Sequence, residues 1–295
     1  MPKICYIPKS FTAPSLEIIE QANDIITEYS EQGFDLTLRQ LYYQFVSRDL
    51  IANKQSEYKR LGNIINDARL AGKIDWYAIE DRTRNLKRLA HWDSPSEILE
   101  SCAEQFRFDK WRNQEYRLEV WIEKDALVGV IEDICNEHDV PFFSCRGYTS
   151  QSEMWRAARR LKQYYDACKQ TPIIIHLGDH DPSGIDMTRD IQERTNLFTR
   201  GKIRVERIAL NIGQIDQYNP PPNPAKLSDT RCQAYILEYG ESSWELDALE
   251  PKVMADLIAD TILKYKDIDR WNETVNEENY EKSKLRETAD NWGTQ

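Results

Sequence analysis

No apolar run in this sequence approaches the roughly 20 residues that span a bilayer, so a helical membrane protein is not expected. The opening, MPKICYIPKSF, has neither the apolar stretch nor the small-residue cleavage site of a secretory signal. Its 6 cysteines (Cys5, Cys102, Cys135, Cys145, Cys168, Cys232) form no C-x-x-C pair and have no histidine at zinc-ligand spacing. They read as ordinary thiols of a reducing compartment, and a cytoplasmic protein is the expectation. Glycine is scarce, at 11 residues, and no glycine-rich phosphate loop or other nucleotide motif occurs. ATP-driven work by this chain alone is therefore not expected.

What is present is the composition of a folded protein: 295 residues, 40% hydrophobic, 30% charged and 11% aromatic. That length suits two modest domains or one large one. The formal net charge of -11 argues at first against a polyanionic partner. Its placement is uneven, however. Between Leu36 and Ala90 eleven Lys/Arg stand against six Asp/Glu, whereas the closing stretch WNETVNEENYEKSKLRETADNWGTQ is acidic and poor in apolar residues. Charge by region informs more here than the total.

Pro14 and Ser15 open a helical pattern (Leu16, Ile18, Ile19, Ala22, Ile25, Ile26) that Gly33 ends. Asp35 or Thr37 can cap a second helix, LRQLYYQFVSRDL, with Leu38, Leu41, Tyr42, Phe45 and Val46 at helical spacing. A third runs through EYKRLGNIINDARLAGKI, and IDWYAIEDRTR after it suits a β-wing. Three helices, a wing and a basic excess fit a winged-helix (CAP-like) DNA-binding unit over 1–92, and they equally fit a generic small helical domain. Residues 93–115 read as a linker helix. From YRLEVWIEK onward strands alternate with helices, which implies an α/β domain with a mostly parallel sheet over 116–270, followed by an acidic C-terminal tail at 271–295.

Two acidic sites stand out in the second half. Glu123 ends the strand LEVWIEK, and Asp179 and Asp181 follow the apolar strand in IIIHLGDHDPSG. Ligands of open parallel sheets bind beyond the carboxyl ends of strands, where both sites fall. Three carboxylates there suit a hard cation such as Mg2+, and Pro182, Ser183 and Gly184 start a helix whose N–H groups favour an anion. The plainer alternative makes Asp179 and Asp181 turn and cap residues and Glu123 a surface charge. His180, between the aspartates, reads as a turn residue.

Glu123 followed by GDHDPSG after an apolar strand resembles a Toprim domain, the Mg2+-binding unit of topoisomerases, primases and related nucleases. WELDALEP, residues 244–251, resembles the segment near the end of that domain in topoisomerase VI A subunits. Near the N-terminus, TLRQLYY is similar to the R-x-x-Y-Y string that carries the nucleophile in those subunits and in the related transesterase of meiotic double-strand breaks. The resemblance covers roughly residues 35–250, and the length is nearest the small stand-alone "mini-A" proteins of phages and other mobile elements. It implies a nucleophile at Tyr43, with Tyr42 and Arg39 beside it. It implies metal-binding carboxylates at Glu123, Asp179 and Asp181, with Glu245 and Asp247 as outer members of that site. The expected chemistry is cleavage and rejoining of double-stranded DNA through a 5′-phosphotyrosyl link, by a homodimer in which each tyrosine works with the partner's metal site. An ATPase on another chain is a further partner the resemblance allows.

Arg39 precedes Tyr42 and Tyr43 by three and four residues, so it can share a helix face with either. A tyrosine hydroxyl, with a pKa of about 10, needs such a cation to react near neutrality. Tyr42 lies in the apolar stripe and fits a core role better than Tyr43 does. Lys59, Arg60, Arg69, Arg82, Arg84 and Arg146 are candidate DNA-backbone contacts. Two competing readings are a Mg2+-dependent hydrolytic nuclease, in which the tyrosines only pack, and a non-catalytic DNA-binding factor.

Overall fold

The computed structural model of the chain describes residues 3–79, 89–225 and 229–292. Among them are 11 α-helices and a four-strand sheet whose pairings are all parallel. No described helix is long and apolar enough to cross a membrane.

The first region is helical. Helix α1 (Ala13–Glu31) begins with proline in its first turn and buries Ile18, Ile19, Ala22, Ile25 and Tyr29. Helix α2 (Leu38–Ser47) starts at a capping box: the Thr37 hydroxyl accepts from the Gln40 N–H, and the Thr37 N–H donates to Gln40 Oε1 at 2.8 Å. Helix α3 (Gln55–Leu70) adds Leu61, Ile65 and Ala68 to the same core. Of the expected wing, Ile79 forms an isolated parallel bridge with Leu36, and the stretch from 80 to 88, with Arg82 and Arg84, lies outside the described residues.

After α4 (Pro95–Gln105) the chain enters the sheet through β1 (Tyr116–Ile122). Helix α5 (Val128–Glu137) leads to β2 (Phe142–Ser144), α6 (Gln151–Cys168) to β3 (Thr171–Leu177), and α7 (Pro182–Thr199) to β4 (Arg204–Ala209). The spatial order β2-β1-β3-β4 follows, with β1 and β3 in register from Tyr116 opposite Thr171 to Ile122 opposite Leu177. Alternation sorts the side chains. Leu118, Val120, Ile122, Ile173, Ile175 and Leu177 share one core with Val130, Ile131 and Cys135 of α5, while Trp121 and Ile174 join Met154, Leu161, Met187 and Ile191 of α6 and α7. The first core also takes Met254, Ile258 and Ile262 from α10, below. Buried on both faces, these strands read as continuous apolar runs.

Four helices follow the sheet: α8 (Ile212–Tyr218), α9 (Cys232–Tyr239), α10 (Pro251–Tyr265) and α11 (Ile268–Trp292). The acidic stretch after 271 is thus helical rather than a simple tail. It lies along α4, with Ser96 Oγ donating to the Ala289 carbonyl at 2.9 Å. Its buried Glu278 accepts from the Phe108 N–H at 2.9 Å and from Lys282 at 2.7 Å. On the outer strand β4, Glu206 accepts from Lys264 at 2.9 Å and from the Tyr265 hydroxyl.

His176 of β3 is wholly buried, with Nδ1 2.8 Å from Thr188 Oγ1 of α7. Burial first, then the nearby Arg207 charge, pull its pKa from 6.5 to about 3. Between those values the unfolded chain holds a proton on this ring and the folded chain does not, so stability rises with pH across that window. In His176→Asn this contribution disappears. Urea melts from about pH 7 down to about pH 4 are expected to show wild type losing stability faster than the variant, by at most about 1.4 kcal/mol per pH unit.

Candidate functional site

The chain runs from β1 through α5 to β2 on one side and from β3 through α7 to β4 on the other. The carboxyl ends of β1 and β3 therefore flank a topological switch point, where connections diverge and leave a crevice. Glu123 follows β1 directly, and Asp179 and Asp181 follow β3. Their backbones are locked together: the Glu123 N–H donates to the Leu177 carbonyl at 2.9 Å, and Glu123 Oε2 accepts from the Asp179 N–H at 2.8 Å. Asp181 caps α7, accepting from the Gly184 N–H at 2.7 Å and from Ser183 Oγ at 2.8 Å. Gly184 has no substitute here, because a Cβ at that position would lie 2.2 Å from the Asp179 carbonyl oxygen.

A third segment closes the crevice. Glu245, Leu246, Asp247 and Ala248 run across it, with the Leu246 N–H donating to Asp179 Oδ1 at 2.7 Å. Lys124 sits among the carboxylates: its Nζ is 3.0 Å from Asp179 Oδ1, 2.7 Å from Glu245 Oε2 and 2.8 Å from Asp247 Oδ1. Arg39 reaches in from α2, with Nε 2.6 Å from Asp247 Oδ2 and Nη2 on Glu245. Tyr43 lies on the same helix face, its ring centroid 5.8 Å from the Arg39 guanidinium and its phenol near enough to the Glu245 charge to feel it. All of these contacts lie within one chain, and Ala248 packs into the core of the first region. Tyr43, Arg39, Glu123, Asp179, Glu245 and Asp247 therefore meet at one crevice, with Asp181 beside it at the start of α7.

The charges of this site follow from burial and pairing. Burial alone lowers the Lys124 and Arg39 pKa values, but the carboxylates beside them more than reverse it and hold both cations charged. Burial opposes the Glu245 charge, yet Lys124 and Arg39 bring its pKa down to about 2. Glu123 and Asp179 go the other way, since burial raises both beyond what their cation neighbours recover. Tyr43 is pushed well above the usual phenol range by burial and by the Glu245 charge, against Arg39 and Lys124. In this arrangement it rests as a neutral hydroxyl.

Several residues here gave no sequence signal strong enough to single them out. Arg207 of β4 donates to the carbonyls of Gly178 (2.8 Å), Asp179 (2.7 Å) and Gly184 (2.9 Å), so one buried guanidinium holds the whole loop that carries the aspartates. Burial lowers its pKa to about 10, with Glu123, Asp179 and Asp181 opposing. Lys124 was legible only as the residue after Glu123. His180 is structural, with Nδ1 2.7 Å from the Tyr235 hydroxyl and its backbone bridged to Trp244.

The tyrosines share one environment. Tyr42 and Tyr43 are 5% and 4% exposed, so sequence spacing separated two side chains that burial does not. The Tyr42 hydroxyl is engaged by Asn53 Oδ1 at 3.1 Å and by the Lys54 carbonyl at 3.3 Å, away from the carboxylates. Among the expected DNA contacts, Lys59 and Arg60 are exposed on α3, with Arg60 paired to Glu57 at 2.6 Å. Arg69 is half-buried, donating to the Trp76 carbonyl at 2.6 Å. Arg146 is exposed and pairs with Asp125 at 3.0 Å.

The donor set Glu123, Asp179 and Asp181 is all oxygen, the chemistry of a hard divalent ion. As the side chains stand, no group of three or more His, Cys, Asp or Glu among the described residues is arranged around a metal position. The Lys124 ammonium takes the central place instead. Two carboxylates of that set, Glu123 and Asp179, are the ones burial makes hardest to charge, so they gain most from a divalent cation.

No protein-family model matches the chain, and a search of curated proteins finds no match either.

Removing Lys124 leaves three carboxylates facing one another with one cation lost. Lys124→Met is expected to destabilise the fold by about 3–5 kcal/mol, the usual cost of breaking a buried ion pair from one side. A urea melt checks this, and a loss below about 1 kcal/mol would show that the ammonium is not what holds this edge together.

Proposed function

We propose that the chain is a DNA-cleaving and rejoining transesterase, a winged-helix unit followed by a Toprim domain in the manner of a topoisomerase VI A subunit. One observation carries the reading. The R-x-x-Y-Y helix docks its arginine and second tyrosine on the carboxylate edge of the parallel sheet, some 206 residues away in sequence at Arg39–Glu245.

The reaction follows from the residues. Tyr43 Oη attacks the phosphorus of a DNA phosphodiester, the bond from phosphorus to the 3′ oxygen breaks, and that oxygen leaves with the phenol proton as a 3′ hydroxyl. The product is a 5′-phosphotyrosyl link of nearly equal energy, so the 3′ hydroxyl can attack it and restore the strand. Arg39 is placed to hold the phosphate oxygens next to Tyr43 once they displace Glu245, since a guanidinium fork fits phosphate as well as carboxylate. That exchange moves the Glu245 charge away from the phenol, and Arg39 together with the cation the carboxylates would hold offsets the charge that the phosphate brings. Glu123, Asp179 and Asp181 would hold Mg2+, which supplies charge neutralisation at the phosphate. Arg207 keeps the two aspartates in place. Two copies of the chain acting on opposite strands would make a double-strand break, and an ATPase on another chain would be needed to couple it to strand passage.

The burial of Tyr43 favours a second reading, a Mg2+-dependent hydrolytic nuclease in which the same carboxylates activate water. Supercoiled plasmid with Mg2+, quenched in denaturant, separates the two. The transesterase leaves protein covalently attached to DNA 5′ ends, and attachment falls by a factor of at least about 10³ in Tyr43→Phe while Tyr42→Phe retains it. Cleavage that survives both changes and disappears in Asp179→Ala belongs to the nuclease.

A further inference from the structure

A chamber of about 270 Å³ opens beside Tyr43, walled by Tyr42, Tyr58, Lys54 and Gln55 of the first region and by Asn223 and Glu245 of the second. Arg39, Tyr43 and Glu245 form one side of it, and the transesterase reading gives the rest no role. Its size lies just below the range of about 300–1,000 Å³ typical of ligand pockets, which suits one nucleotide and excludes a duplex segment. Its lining is mixed in a particular way. The Tyr42 ring meets those of Tyr43 and Tyr58 edge-on, each pair with centroids 5.3 Å apart, so the buried Tyr42 and Tyr43 brace Tyr58, the half-buried ring of the three. Gln55 and Asn223 bring side-chain amides, which carry a donor and an acceptor each and so match the edge of a base. Lys54 and Arg39 supply cations for the attached phosphate. The Asn53 amide donates to Asn223 Oδ1 at 2.6 Å, which fixes one wall against the other across the two regions.

We propose that this chamber seats a single unpaired nucleotide adjoining the scissile phosphate, so that the preferred substrate is DNA with a base out of its stack. This rests on the transesterase reading. Rings and amides together recognise a base only when its face and edge are both free, which holds for a flipped or unpaired nucleotide and not within a paired duplex. With the base in the chamber, the neighbouring phosphate lies at the wall formed by Arg39 and Tyr43, where Glu245 now sits. Seating the nucleotide and releasing the tyrosine are then one event.

The test uses the full chain and two fluorescent duplexes of the same sequence, one fully paired and one with a single unpaired nucleotide. Binding is read by anisotropy at fixed salt, and covalent attachment is read in parallel after a denaturing quench. Tighter binding of the unpaired duplex, by about tenfold or more and lost in Gln55→Ala and Tyr58→Leu with melting temperatures near wild type, supports the chamber. Equal affinity for the two duplexes, or a preference that both variants retain, overturns it. Attachment to DNA with equal affinities leaves the transesterase standing and the chamber refuted. A preference abolished by the variants but with no attachment leaves the chamber standing and the transesterase refuted.

Discussion

The Lys124 ammonium, held between Asp179, Glu245 and Asp247, is the contact on which the carboxylate edge of the sheet depends. Three carboxylates this close, at the dry end of a sheet buried on both faces, would repel strongly in a medium of low polarity. One ammonium cannot neutralise all three, and Arg39 supplies the second charge from another part of the chain. The docking of α2 is thus an electrostatic requirement of the sheet edge as much as a matter of apolar packing. Ala248, inserted into the first region's core, adds the packing component at the same place. A geometry that satisfies these charges also sets the Tyr43 phenol beside the Glu245 charge, which keeps it protonated.

Much of this was legible in the sequence, and for identifiable reasons. Apolar runs such as IIIHL and LEVWI, followed by acidic residues and a helix pattern, mark strand ends in a parallel sheet, and Glu123, Asp179 and Asp181 came from that signal alone. Thr37 was readable as a cap because of its position before the apolar stripe, and Gln40 completes the box. The partners of these residues were not legible. Lys124 lies just past a strand and Arg207 within one, and only folding shows that both are enclosed by acceptors. Tyr42 and Tyr43 sit at adjacent helical positions, and spacing favoured a core role for the first. Burial of the second comes from the segment at 245–248, which no local pattern could supply. The acidic stretch after 271 read as a tail because its apolar residues are few, yet Thr274, Glu278 and Ala289 suffice to bury one side of a helix against α4.

Three cations divide the labour within the site. Lys124 and Arg39 face carboxylate oxygens and set the charge that a phosphate would meet. Arg207 faces carbonyl oxygens and sets the position of the loop, with the aspartate charges only nearby. Geometry and charge are therefore held by different side chains, so a substrate that displaces Glu245 from Arg39 need not disturb Asp179 and Asp181. Gly184, whose hydrogen atoms lie against the Asp179 carbonyl, makes the same loop sterically incompressible from the other side.

The pairing of α4 with α11 carries a consequence for how the molecule comes to be built. Ser96 and Ala289, which share a hydrogen bond, are 193 residues apart. A helix whose partner is that distant has to close a long loop before the contact returns any stabilisation, and closure of that kind is slow. On the ribosome, α4 emerges well before α11 exists, at chain growth of about 5–20 residues per second. The sheet can assemble in that interval from its own neighbouring strands, since β1, β2, β3 and β4 follow one another closely. The acidic helix thus reaches α4 only after the four strands that lie between them in sequence have emerged.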